Sequence, residues 1–270
     1  MIKLENIFKW YNVGGTRSFI LKDINLHIEE GDFVSIMGPS GSGKSTLLNV
    51  IGLLDEPNEG KYYFMDEDVL AMKPKKRTAL FQSHMGYVFQ SYHLIDELTV
   101  YENIETPLIY KDLSGKERKA IVADMLDRFG IVGKKDLFPA QLSGGQQQIV
   151  GIARALAASP KLLLADEPTG NLNSKQGEEV MKLFKKLNED GVTIILASHQ
   201  LLEVQRVCDR VALLNKGKLV REGTVGELTP SRARLRLSAS TAPKAPQVLG
   251  ERGNVEGDAL MAPARLPHGS

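Results

Sequence analysis

An eight-residue segment of glycines, serines and one lysine constrains this chain more than any other feature. It reads Gly-Pro-Ser-Gly-Ser-Gly-Lys-Ser at residues 38–45 and fits the pattern G-x-x-x-x-G-K-S. The apolar run at 33–37 is typical of a buried strand, and residues 45–51 are typical of a helix. This order predicts a strand, a tight loop and a helix whose N-terminal end faces an anion.

The loop has the groups that replace the water around a nucleoside triphosphate. Its glycines let backbone N–H groups approach the phosphates, Lys44 adds a positive charge, and Ser45 offers a hydroxyl to Mg²⁺. The residues expected to bind the nucleotide here are Gly38, Pro39, Ser40, Gly41, Ser42, Gly43, Lys44, Ser45 and Thr46. The alternative, a glycine-rich turn without a ligand, is disfavoured by the flanking strand and helix.

Two later apolar runs end in residues suited to catalysis. One ends at Asp166-Glu167 and the next, one helix-sized segment later, ends at Ser198-His199. Because open α/β sheets bind ligands at the carboxyl ends of their strands, we expect Asp166 to serve Mg²⁺. Glu167 is expected to orient and deprotonate a water, and His199 to contact the γ-phosphate; with Lys44 they are the predicted catalytic residues. A solvated strand end and a structural histidine are the alternatives.

In this order, these elements resemble the ATP-binding cassette (ABC) family, and the resemblance covers residues 1–228. Its motifs are the phosphate loop, Gly-Tyr-Val-Phe-Gln-Ser at 86–91, Gln-Leu-Ser-Gly-Gly-Gln-Gln-Gln at 141–148, Leu-Leu-Leu-Ala-Asp-Glu-Pro at 162–168, and Ser198-His199. The resemblance implies that Gln90 contacts Mg²⁺ or its water. It also implies that Tyr11 stacks on adenine, with Trp10 as the competing aromatic residue.

The resemblance further implies that each nucleotide is shared between two copies of the chain. Ser143, Gly144, Gly145 and Gln146 of one copy would bind the γ-phosphate of the ATP that the opposite copy holds. The local chemistry agrees, because Ser143 suits the cap of a helix beginning near Gln146, and helix N-termini attract anions. The alternative is a cap that serves only its own helix.

The predicted fold is α/β: a P-loop NTPase (ABC ATPase) core with an N-terminal antiparallel β-subdomain and an inserted α-helical subdomain. Alternating apolar and polar residues at 1–35 predict the antiparallel sheet. The helical subdomain is expected at about 91–150, with an amphipathic helix at 116–129. Residues 1–228 would form the cassette. Residues 229–270 have no sustained period and are expected to be a flexible C-terminal tail.

Composition narrows the function classes. A net charge of +1 argues against a duplex nucleic-acid binder, and the basic run at 73–77 is interpreted as a solvated loop. The single cysteine, Cys208, cannot form an internal disulfide, which fits a reducing compartment. No apolar run approaches the roughly 20 residues that span a bilayer. We therefore expect a soluble or peripheral protein whose membrane role depends on a partner.

Several segments resemble one branch of the family, the lipoprotein-releasing, macrolide-efflux and cell-division ATPases (LolD, MacB and FtsE types). They are 52–55, 86–90, 98–103, 107–110 and the triple glutamine at 146–148. The branch implies a homodimer bound peripherally at the cytoplasmic side of the inner membrane. It would hydrolyse ATP to drive an integral membrane permease-type subunit in export, lipoprotein release or transmembrane mechanical signalling.

Three positions depart from the family pattern. Asn173 stands where aspartate is usual, Ile149 where arginine is usual, and Gln200 where an acidic residue is usual. Asparagine keeps the shape and hydrogen bonding of aspartate but lacks its charge. Asn173 and Ile149 keep open a degenerate ATP-binding regulator, against which Lys44, Glu167 and His199 argue. A non-transport soluble ABC ATPase is also open, although the chain lacks coiled-coil insertions and basic arms.

The substitution Asn173→Asp is expected to raise the steady-state ATPase rate, because it restores the charge that the family usually places there. The measurement is phosphate release by wild type and variant at saturating ATP. Equal rates would contradict the hypothesis that the departures reduce turnover.

Overall fold

Two sheets organise the first 228 residues of the computed structural model. The strands are β1 (Ile2–Val13), β2 (Thr16–Ile28), β3 (Phe33–Met37), β4 (Glu59–Phe64), β5 (Glu67–Asp68), β6 (Met85–Val88), β7 (Leu162–Asp166), β8 (Thr193–Ala197), β9 (Arg210–Asn215) and β10 (Lys218–Thr224). An antiparallel sheet has the order β2-β1-β4-β5, and a second sheet has the order β10-β9-β3-β8-β7-β6. The strands from β9 to β6 are parallel, and β10 is antiparallel to β9.

Helices cover the parallel sheet and build a separate lobe. They are α1 (Lys44–Ile51), α2 (Pro74–His84), α3 (Val100–Glu105), α4 (Gly115–Arg128), α5 (Gly144–Ala157), α6 (Ser174–Glu189), α7 (Leu201–Val207) and α8 (Val225–Leu228). Capping boxes start α3 at Thr99 and α4 at Ser114. The predicted amphipathic helix at 116–129 corresponds to α4. No helix in the described part of the chain is long and apolar enough to cross a membrane.

The parallel strands are buried on both faces, so their side chains divide between two apolar clusters. Val34 and Ile36 point to the cluster that contains the antiparallel sheet and α1. Phe33 points to the other cluster, which contains residues of α4, α5 and α6. This arrangement explains why these strands read as continuous apolar runs rather than alternating ones. The predicted fold class, an α/β core with antiparallel and helical subdomains, is confirmed.

The predicted solvated loop at 73–77 is wrong in its secondary structure. Helix α2 begins at Pro74, and proline suits a first helical position because its missing N–H has no partner there in any case. The segment is largely exposed, as expected, and no residue of α2 is buried. The helix therefore has no apolar period by which the sequence could have revealed it.

The structure describes residues 1–228 and two short strands, Val255–Glu256 and Ala259–Leu260. These two strands pair with each other in antiparallel fashion and belong to a unit separate from Met1–Leu228. The predicted flexible tail at 229–270 otherwise lies outside the described residues.

The substitution Tyr62→Phe is expected to lower the free energy of unfolding by about 1–2 kcal/mol. Tyr62 is fully buried, and its hydroxyl donates a 2.6 Å hydrogen bond to the carbonyl of Ile51, the last residue of α1. Urea unfolding of both proteins measures the loss. Tyr63→Phe is the matched control, because this neighbouring tyrosine is only half-buried. Equal losses in the two variants would contradict the assignment.

Candidate functional site

The phosphate loop connects β3 to α1 through backbone shapes that only glycine permits. Gly43 caps α1 in the left-handed region, with φ 106°. A Cβ on Gly38 would lie 2.0 Å from the carbonyl oxygen of Leu214 on β9. The loop therefore passes directly over the neighbouring strand, and a side chain at either glycine would displace it.

Lys44 is held inside the loop by the loop's own backbone. Its ammonium donates hydrogen bonds to the carbonyls of Gly38, at 3.0 Å, and Pro39, at 3.3 Å. Because Lys44 is also the first residue of α1, its charge sits at the positive end of that helix. The loop thus combines a fixed cation with free backbone donors, as a polyphosphate requires.

The parallel register brings the other predicted catalytic residues to the same edge of the sheet. Ala165 of β7 pairs with Leu196 of β8, so Asp166-Glu167 and Ser198-His199 follow these strands side by side. Glu167 adopts a left-handed conformation with φ 45°, and its N–H donates to the Ala197 carbonyl at 2.9 Å. A bulky residue in this conformation stores strain of about 1–2 kcal/mol, which the bond helps to hold.

Glu167 and His199 form a directed pair. The Nδ1 atom of His199 lies 2.9 Å from both carboxylate oxygens of Glu167. Since a carboxylate only accepts, we assign the hydrogen to Nδ1. The Glu167 side chain is 11% exposed, whereas that of His199 is 66% exposed. The histidine therefore orients a buried carboxylate from the solvent side and remains available to a ligand.

Asp166 has a buried carboxylate, and one of its two oxygens accepts no hydrogen bond from the described residues. Burial raises its pKa, while the Ser45 hydroxyl and the charge of Lys44 oppose the rise. Its Oδ1 is buried and has no hydrogen-bond partner among the described residues. A buried carboxylate oxygen beside a serine hydroxyl fits Mg²⁺, which prefers oxygen ligands. The predicted metal ligands Ser45, Gln90 and Asp166 thus form a suitable donor set.

A cavity of about 670 Å³ joins these residues, which is ample for a small-molecule ligand. The predicted residues that line it are Gly38, Pro39, Ser40, Gly41, Gly43, Lys44, Ser45, Thr46, Gln90, Asp166, Glu167 and His199. Ser42 does not line it, and its buried hydroxyl has no hydrogen-bond partner within the described part of the chain. Sequence reasoning missed Ile20, Gly170 and Asn171. Asn171 donates to the Gln90 carbonyl at 3.2 Å, and no pattern in the sequence indicates that contact.

Tyr11 is not among the residues that line this cavity. Its hydroxyl donates a 2.6 Å hydrogen bond to Asp55, which raises the pKa of Tyr11 to about 12. The Lys9 ammonium lies 4.8 Å from the centre of its ring. Trp10 instead packs against Phe19, with ring centres 5.2 Å apart. The adenine contact of Tyr11 stays a prediction.

The Ser143 loop is also absent from the lining of the cavity. Ser143 caps α5, which begins at Gly144, and forms a capping box with Gln146. The helix therefore starts two residues earlier than expected. One copy of the chain brings together the phosphate loop, Gln90, Asp166, Glu167 and His199, but not the Ser143–Gln146 loop.

The three departures from the family pattern have local roles. Asn173 caps α6, accepting from the Gln176 N–H at 3.0 Å and donating to the Gln176 side chain at 2.7 Å. Ile149 is buried in the apolar cluster of α5. The N–H of Gln200 donates to the Ser198 hydroxyl at 3.1 Å. None of the three replaces a group that lines the cavity.

Comparisons with known proteins point to a single family. The family model described as ABC transporter matches residues 21–170. The chain is 44% identical over 220 residues to the ABC transporter ATP-binding protein MJ1508 of Methanocaldococcus jannaschii, covering 82% of this chain and 98% of the relative. It is 39% identical over 251 residues to the macrolide export ATP-binding/permease protein MacB of Bartonella quintana, covering 93% of this chain and 38% of that protein.

A solved structure is similar over the same region. It is the ATP-binding cassette MJ0796, a dimer in a post-hydrolysis state bound to ADP and Pi. MJ0796 is also a protein of M. jannaschii. The TM-score is 0.80 at 44% identity, covering 83% of this chain and 99% of the other.

The substitution Lys44→Ala is expected to slow phosphate release from ATP by about 100-fold, since one or two charge-assisted contacts of ~1.5–3 kcal/mol are lost. Lys61→Ala is the matched control, because Lys61 is an exposed lysine on the antiparallel sheet. The assay is steady-state phosphate release by the three proteins. An unchanged rate in Lys44→Ala would exclude the cavity as the site of hydrolysis.

Proposed function

The chain belongs to the ABC transporter family and is an ATPase, and we propose that two copies enclose two ATP molecules and drive a membrane-embedded partner. The observation that carries this proposal is the separation of two elements within one copy. The phosphate loop lines the cavity, whereas the Ser143-Gly144-Gly145 loop does not. A second copy completes each site if its Ser143 loop covers the phosphates that the first copy holds.

The start of α5 has free donors for this purpose. Gly144 and Gly145 lie in the first turn, where no preceding turn of the helix offers a carbonyl to their N–H groups. The positive end of the helix favours an anion there. The similar M. jannaschii cassette MJ0796 was solved as a dimer bound to ADP and Pi, which supports a dimeric nucleotide-binding state for this chain.

Within each site the residues have separate roles. The backbone N–H groups of the phosphate loop and the Lys44 ammonium bind the β- and γ-phosphates. The Glu167 carboxylate, oriented by His199, accepts a proton from the water that attacks the γ-phosphorus. The bond from that phosphorus to the bridging oxygen breaks, which yields ADP and inorganic phosphate.

Ser45, Gln90 and Asp166 would hold Mg²⁺, and their oxygen atoms suit it. Asp166 contributes the unpartnered Oδ1. When bound, the ion neutralises charge on the β- and γ-phosphate oxygens. The raised pKa of Asp166 follows from its burial, and a neighbouring cation favours the ionised form that binds metal.

ATP acts as a bridge between the copies. Moving the closed state from about 1% to about 99% requires ATP to favour closure by ~5.5 kcal/mol. Several charge-assisted hydrogen bonds of ~1.5–3 kcal/mol each, from Ser143, Gly144 and Gly145, are sufficient. Hydrolysis breaks the bridge through the γ-phosphate, and the lost bonds favour opening.

The partner would be an integral membrane permease-type subunit. Ile95, Ile109 and Tyr110 of the helical lobe are large apolar side chains that are 40%, 59% and 65% exposed. Ile95 lies five positions after Gln90. Exposed apolar residues of this kind suit a groove that receives a helix of the partner. The fusion of ATP-binding and permease parts in the name of the similar MacB protein supports this pairing.

The complex would place this subunit peripherally at the cytoplasmic side of the inner membrane. Its membrane contact would be made only through the partner, and its work would be export, lipoprotein release or transmembrane mechanical signalling.

With ATP present, Glu167→Gln is expected to form a stable dimer on size-exclusion chromatography. The variant keeps the shape of the side chain but lacks the base that starts hydrolysis, so bound ATP persists. The double variant Glu167→Gln/Lys44→Ala is the control and should stay monomeric, because it lacks the phosphate contact. A monomeric Glu167→Gln at saturating ATP would contradict the shared site.

A further inference from the structure

Two consecutive residues after Gln90 adopt a left-handed conformation. Tyr92 has φ 60° and His93 has φ 47°. Each such residue costs about 1–2 kcal/mol relative to an extended or right-handed conformation. Neither residue is glycine, so the surrounding structure has to hold this turn in place.

Arg154 of α5 holds the turn. Its Nη2 donates to the Tyr92 carbonyl at 2.8 Å, and its Nη1 donates to the His93 carbonyl at 2.6 Å. One planar guanidinium thus fixes two successive carbonyls, a geometry that lysine cannot reproduce. The turn is therefore anchored directly to α5.

The Tyr92 side chain reaches the opposite end of the same helix. A Cβ on Gly144 would lie 2.7 Å from the Tyr92 hydroxyl, so this hydroxyl fills the space above the Gly144 backbone. Gly144 and Arg154 are separated by ten residues, or about 15 Å along the helix. Between them, Gln148 donates to the Phe89 carbonyl at 3.4 Å. The segment 89–93 thus contacts α5 at three points along the helix.

We infer that Tyr92 is a positioning residue that couples the Gln90 segment to the Ser143 end of α5. Gln90 lines the cavity of its own copy, and the Ser143 loop is the element proposed for the site of the other copy. The Tyr92 side chain therefore sets the position of the Ser143 end of α5 relative to the Gln90 segment. This inference rests on the proposed shared ATP site and adds a residue that positions the loop on which that site depends.

The test is Tyr92→Gly in the Glu167→Gln background. Glycine adopts φ > 0 without strain, so the variant keeps the turn and loses only the side-chain contact with Gly144. The ATP-saturated protein is titrated by sedimentation velocity. The concentration for half-dimerisation is expected to rise about tenfold, equivalent to ~1.4 kcal/mol. The binding constant of a single copy for a fluorescent ATP analogue and the thermal midpoint are expected to stay unchanged.

His93→Gly in the same background is the matched control. It relieves the same kind of strain one residue later, and its side chain packs on Phe89 instead. It is expected to dimerise within about twofold of the parent, less than ~0.4 kcal/mol. A parent that stays monomeric with ATP would refute the shared site itself.

With a dimeric parent, three results would overturn the role of Tyr92 alone. The first is that Tyr92→Gly dimerises as readily as the parent. The second is that His93→Gly has the same dimerisation defect as Tyr92→Gly. The third is a lowered thermal midpoint in Tyr92→Gly. The last result would make the tyrosine a purely structural residue.

Discussion

The parallel pairing of β3, β8, β7 and β6 is the constraint on which the rest of this molecule depends. It directs the carboxyl ends of four strands to one edge of the sheet. The segments that follow these strands therefore become neighbours: the phosphate loop, Ser198-His199, Asp166-Glu167 and Gln90. Gly38 and His199 meet there although 161 positions separate them in the sequence. Burial of both faces fixes the register, because sliding a strand by one residue would exchange its two apolar clusters. The same strand register therefore builds the buried core and brings the site residues together.

Sequence reasoning succeeded where a local pattern has one geometric outcome. Gly38 and Gly43 meet backbone constraints that are visible in the motif itself, and Glu167 follows a strand whose end faces ligands in any open α/β sheet. It failed where the outcome depends on distant partners. Helix α2 has no fully buried residue and so leaves no clear period, and Asn171 lies in the site beside the Gln90 carbonyl, to which it donates a hydrogen bond. Ile20 enters from another sheet.

The orientation of Tyr11 shows the same dependence. Its place near the end of β1 agrees with an adenine platform, but its hydroxyl is bound to Asp55, more than forty positions away. The Tyr92 turn is a further case. Its left-handed backbone is invisible in a tyrosine and a histidine, and it exists because Arg154 offers two donors at the right spacing. Such features require the assembled structure rather than the motif.

The hydrogen bonds made by the Lys44 ammonium affect which anions the phosphate loop favours. Its ammonium is already bound by the Gly38 and Pro39 carbonyls, so the loop carries an internal competitor for its own positive charge. A small anion attracted by charge alone gains little by displacing two good acceptors. A triphosphate gains more, because it engages many backbone donors at once. These two bonds therefore favour a ligand that brings many oxygens over one that offers charge alone.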